Sequence, residues 1–145
     1  MRYLLAVAAI LGGCAAVEQR APVSDSMPSP APAPSTISAS AAVASLVASA
    51  RADMAAGRLT HAAASLERAL RIEPRNPRLW QELARVRLQQ GDYAQAESVA
   101  ARSNSWAGQD SRLRAENWRL IAQSREARGD AAGARAALEA ADRYR

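Results

Sequence analysis

Asn76-Pro77-Arg78-Leu79-Trp80-Gln81-Glu82-Leu83-Ala84 reads as the opening of an amphipathic helix, and Gln89-Gln90-Gly91-Asp92-Tyr93 reads as the turn into a second one. Asn76 is suited to cap the first helix, and Pro77 suits its first position, where a missing N–H is no loss. Trp80, Leu83, Ala84 and Leu88 follow at i, i+3, i+4 and i+8, which lays one apolar stripe along the helix. Gly91 supplies the left-handed residue that ends it, and Asp92 is placed to cap the helix that continues through Ala96.

Working outward, the same punctuation recurs. Gly57 and Gly91 are 34 residues apart, whereas Gly91 and Gly129, like Trp80 and Trp118, are 38 apart. Four residues are therefore inserted before the last unit, within Ala107 to Arg114, where Gly108, Asp110 and Ser111 read as a loop and a new cap. Aligned on the glycines, the units are 43–76, 77–110 and 115–145. Small residues stand in register at Ala50, Ala84 and Ala122, and again at Ala62, Ala96 and Ala134. Leu46, Trp80 and Trp118 form an anchor column. Ile72, Trp106 and Tyr144 form another near the ends of the second helices, and this large apolar column predicts a core role for Trp106. Trp80, Leu83, Ala84, Gly91, Tyr93 and Ala96 together resemble the tetratricopeptide repeat (TPR), whose period is about 34 residues. The resemblance implies an all-α fold over 43–145, a short solenoid of about three helix-turn-helix repeats. One hairpin cannot bury its apolar face alone, so the three must stack. The final helix, Ala131 to Arg145, carries Arg135, Glu139, Asp142 and Arg143 on its outer side and is expected to cap the stack.

The N-terminus reads differently. Met1-Arg2 precedes an apolar run, Tyr3 to Ile10, that is too short to span a bilayer. Leu11-Gly12-Gly13-Cys14 then resembles the lipobox of bacterial lipoproteins. This implies cleavage after residue 13, a diacylglycerol on the Cys14 thiol and acylation of the new amine, with no other cofactor. Cys14 is the only cysteine, so no intramolecular disulfide is possible. Ala15, where related inner-membrane lipoproteins have Asp, points to the periplasmic face of the outer membrane in a Gram-negative cell. From 14 to 42 the chain is largely Ala, Ser and Pro, including Pro28-Ser29-Pro30-Ala31-Pro32-Ala33-Pro34. With few large apolar residues it is expected to be a disordered, partly polyproline-II tether, able to reach on the order of 85 Å when extended.

Basic residues exceed acidic ones by five, and every one of them is Arg. A GC-rich genome accounts for that bias as readily as a functional surface does. One His and one Cys make a clustered metal site or a Ser/His/Asp set implausible, and His61 reads as a surface residue. No phosphate-binding glycine loop is present. Export argues against nucleic acid as a partner, and nothing points to a small-molecule substrate, so the sequence reads as a binding module, not an enzyme. In TPR solenoids the first helices line a concave face. Carried over by column, that face holds Val47, Arg51 and Met54, then Arg78, Gln81, Arg85 and Leu88, then Glu116, Arg119, Gln123 and Glu126. The arginines around these apolar side chains fit an acidic or amphipathic segment. They fit equally a solvated face whose arginines pair with Glu82, Glu116 and Glu126. Lipobox, leash and small TPR domain together resemble the LpoP-type outer-membrane lipoproteins, which activate bifunctional class A penicillin-binding proteins. The resemblance implies the periplasmic part of such a synthase as partner. A pilotin-like assembly factor and a passive binder of anionic glycan are the alternatives.

Overall fold

The computed structural model describes residues 36–144, with side chains from Ala39 onward. The expected signal segment, Cys14 and the tether as far as residue 35 lie outside the described residues. Six helices follow one another: α1 (Thr36–Ala55), α2 (Leu59–Ile72), α3 (Pro77–Gln89), α4 (Tyr93–Trp106), α5 (Ser111–Ala127) and α6 (Ala131–Asp142). They pack as three hairpins, α1 on α2, α3 on α4 and α5 on α6, joined through α2–α3, α4–α5 and α3–α5 contacts.

The hairpin turns are closed by the residues that the repeat pattern marks. Gly57, Gly91 and Gly129 all have positive φ. The residue after each glycine donates its N–H to the carbonyl five residues back: Arg58 to Asp53 at 2.8 Å, Asp92 to Arg87 and Asp130 to Arg125 at 2.9 Å. This is the six-to-one bond of a left-handed helix stop. Asn76 accepts from the N–H of Arg78 at 3.0 Å, and Asp110 from that of Leu113 at 2.9 Å, so two orphan donors are satisfied at the helix starts. Asp130 caps α6 through Gly133 N–H at 2.8 Å. A Cβ on Gly133 would meet that carboxylate at 2.0 Å, so a larger residue here would make the Asp130 side chain shift.

The six small column residues, Ala50, Ala84, Ala122, Ala62, Ala96 and Ala134, are all buried, so the paired helices approach closely at each. One core cluster forms around Leu66, Leu70, Leu79, Leu83 and Val86, with Leu46 and Trp80 packed against it. A second gathers Ala100, Leu120, Ile121 and Ala137, with Trp118 against it, and Val99 touches both. The three-residue anchor column therefore does pack inward. A buried polar joint adds specificity: Asn117 donates to Ser103 Oγ at 2.7 Å and to Asn104 Oδ1 at 3.0 Å, and Ser103 donates to the Pro77 carbonyl at 2.7 Å. It ties α5 and α4 to the start of α3.

Two boundaries differ from the sequence expectation. The first helix begins at Thr36, so residues 36–42 belong to α1 and not to the tether. After Pro34 no proline occurs until Pro74, Ala is the strongest helix former, and Val43 is buried where it docks. The inserted residues are not loop. The links 73–76 and 107–110 have equal length, and α5 has 17 residues against 13 in α3. The insertion is one extra helical turn, 111–114, and the third repeat begins at Ser111. Arg114 on that turn donates to Tyr144 Oη at 3.3 Å and lies 5.5 Å from its ring, fastening the end of α6. On α6, Arg135, Glu139, Asp142 and Arg143 are exposed, as expected of a cap, although Leu138 is 48% exposed among them.

Candidate functional site

The first helices α1, α3 and α5 line a continuous groove. Its widest part is a cleft of about 630 Å³ bordered by Arg51, Met54, Glu82, Arg85, Leu88, Glu116, Arg119, Leu120 and Gln123. It joins a polar cleft of about 300 Å³ that adds Arg78, Gln81, Asp110 and Arg112. A third, of about 380 Å³, adds Val43, Val47 and Leu79. Val47, Arg51, Met54, Arg78, Gln81, Arg85, Leu88, Arg119 and Gln123 thus all lie on one surface. Val47, Met54 and Leu88 are half-buried and make its apolar floor.

The electrostatics of the groove come from pairs that step from repeat to repeat. Arg51 Nη2 meets Glu82 Oε1 at 2.7 Å, linking α1 to α3. Glu116 on α5 accepts from Arg85 at 3.2 Å, from Gln81 at 3.1 Å and from Arg112 at 3.1 Å. Arg78 meets Asp110 at 2.9 Å. Glu116 is the hub, because two side chains of α3 and one of α5 converge on a single carboxylate. Gln81, only 5% exposed, is held in place by it. Pairing with Glu82 and Glu116 is present as the sequence allows, but no ion pair reaches Glu126 among the described residues. Arg119 has no carboxylate partner among the described residues, and it faces the widest cleft. Five arginines and three carboxylates line the joined clefts, so the groove keeps an excess of two positive charges after its internal pairing.

Trp106 is not in the core. It is 39% exposed at the last residue of α4, and Ile72 at the equivalent end of α2 is 41% exposed. The buried stripe of α4 runs through Ala96, Ala100 and Ser103. At about 100° per residue Trp106 falls roughly 80° to one side of it. The Arg75 guanidinium lies 5.3 Å from its ring. Arg102 lies 5.3 Å from the Trp80 ring, whose Nε1 donates to the Pro74 carbonyl at 2.9 Å. Repeat alignment groups Ile72 with Trp106 correctly, yet the side of the helix they occupy is readable only by projecting each onto its own stripe.

Residues 53–123 match the tetratricopeptide-repeat family model. No curated protein matches the chain. A solved structure, the globular C-terminal domain of P. aeruginosa LpoP, is similar at 50% identity with a TM-score of 0.68, covering 69% of this chain and 94% of that one. The chain belongs to the LpoP family of TPR proteins. Membership makes its helical domain one of a family of protein-interaction scaffolds, and the groove is the surface where such a scaffold presents one helix from every repeat.

Proposed function

We propose that this LpoP-family chain is an outer-membrane lipoprotein, anchored through Cys14, whose groove binds and activates a bifunctional class A penicillin-binding protein in the periplasm. The kinship with LpoP, across nearly the whole of its globular domain, carries the reading. The groove supplies a physical means: an apolar floor for one side of an amphipathic segment, and unspent positive charge above it for the carboxylates on the other. A scaffold without chemistry of its own accelerates an enzyme only by binding the active conformation better than the inactive one. Contact and activation are therefore expected to be lost together.

The test is to mix the purified protein with the periplasmic part of the synthase and follow glycan polymerisation and crosslinking. Binding with a raised rate is expected, both falling as salt is added. Arg119→Glu is the cleanest probe, because Arg119 gives up no internal partner when changed. It should weaken binding about tenfold or more, about 1.4 kcal/mol. Arg85→Glu is less clean, since it sets a like charge beside Glu116. Binding to isolated sacculi with unchanged synthase rates would identify a passive glycan binder instead. Neither effect, with disturbed secretin assembly on deletion, would identify a pilotin. For the anchor, Cys14→Ser should release the protein from the outer-membrane fraction. Retention there at high salt would remove the lipid from the proposal.

A further inference from the structure

A second surface lies on the helices that the groove does not use. Arg68, Arg71 and Ile72 on α2, Arg75 just after it, and Arg102 and Trp106 on α4 are all exposed. They are contiguous. One shallow cleft is bordered by Leu46, Arg68, Arg71 and Ile72, and the next by Arg71, Pro74 and Trp80, so Arg71 belongs to both. Arg102 then covers the Trp80 ring, and Arg75 covers Trp106. None of the four arginines has a carboxylate partner among the described residues. The neighbouring acids are already engaged, Glu67 by Arg87 at 2.7 Å and Glu73 by Asn76 at 2.7 Å.

We infer that this face docks on an anionic lipid surface, its arginines at the headgroup phosphates and Ile72 and Trp106 at the acyl boundary. Two observations favour a bilayer over an acidic protein. The guanidinium groups are strung out along α2 and across to α4, matching a continuous layer of phosphates and not one converging carboxylate. The two large exposed apolar side chains sit among them, and Trp is the side chain that favours the boundary between water and hydrocarbon. The inference is independent of the groove and of its partner.

The experiment uses the chain from Ala15 onward, which keeps every described residue and removes the apolar leader and the acylation site. Sedimentation with phosphatidylcholine vesicles is compared with and without phosphatidylglycerol. The anionic vesicles should bind at least about tenfold more protein, and added salt should abolish the difference. Arg68→Gln with Arg71→Gln should weaken that binding by roughly 25-fold, from ~1 kcal/mol per basic residue at such a surface. Trp106→Ala should weaken it several-fold and remove a blue shift in the tryptophan emission. Arg119→Gln, in the groove, should change nothing. All these side chains are exposed or half-buried, so unchanged circular dichroism is expected, and should the double variant unfold, Trp106→Ala and the salt series still decide. No preference for phosphatidylglycerol, or equal binding by Trp106→Ala, overturns the proposal. If soluble polyglutamate competes as strongly as the vesicles do, the face reads an acidic protein and the lipid assignment falls.

Discussion

The groove and the outer face are both rich in arginine, but they hold it in opposite electrostatic states. In the groove Arg51, Arg78, Arg85 and Arg112 are each tied to a carboxylate; the ties of Arg51 and Arg85 cross from one repeat to the next, and that of Arg112 lies within α5. On the outer face Arg68, Arg71, Arg75 and Arg102 rest beside apolar surface or stack on indole rings, with no carboxylate partner among the described residues. Paired side chains are already oriented and offer a partner shape and hydrogen bonds at little ordering cost. Unpaired ones offer the full charge and pay for their ordering only on contact. Counting arginines alone cannot separate these two uses.

Substitutions that act on one side and not the other sharpen the contrast. The largest effect is expected at Trp80, which packs on the first core cluster and carries Arg102 on its ring. Trp80→Ala should cost about 3 kcal/mol, less than a fully buried ring, and release Arg102. Urea denaturation measures it, and an unchanged midpoint would show that Trp80 does not bear on the core. Glu116→Gln comes next, at about 1–2 kcal/mol, because it weakens three hydrogen bonds at once and leaves the guanidinium of Arg85 as free as those outside. If its stability matches the wild type at low salt, the pairs do not join the repeats and the contrast is only apparent. Arg68→Gln should shift stability by less than about 0.5 kcal/mol, as expected of an exposed side chain without a partner. A larger change would reveal an interaction that makes the two faces alike.

Much of this was legible in the chain itself where the constraint is local. Asn76, Asp110, Gly91 and the alanine columns announce their roles because a cap, a left-handed turn or a close helix approach admits few side chains. The nine groove residues were placed by column, since helical repeats carry a position from one unit to the next. Three things were not legible. The start of α1 was hidden because Ala and Ser suit a tether as well as a helix until Val43 is seen to dock. The apolar column of Trp106 points it inward, whereas its angle from the buried stripe of α4 sets it outside. The choice between free and paired arginines was invisible, because an Arg reaches acids on neighbouring helices and only packing decides which one. Among the described residues the Glu116 carboxylate takes three donors and that of Glu126 none, yet in the sequence they stand on equal terms.

The extra turn at the start of α5 says how such a chain can change its length. Four residues advance a helix by about one turn and overshoot by only roughly 40°, so every side chain beyond Arg114 still faces nearly the way it would without them. An insertion of two would swing the rest of the helix through about 200°, turning Asn117, Leu120 and Ile121 to solvent and Arg119 into the stack. A length change at this helix start is therefore tolerated best when it is close to a whole turn, because α5 then keeps its neighbours.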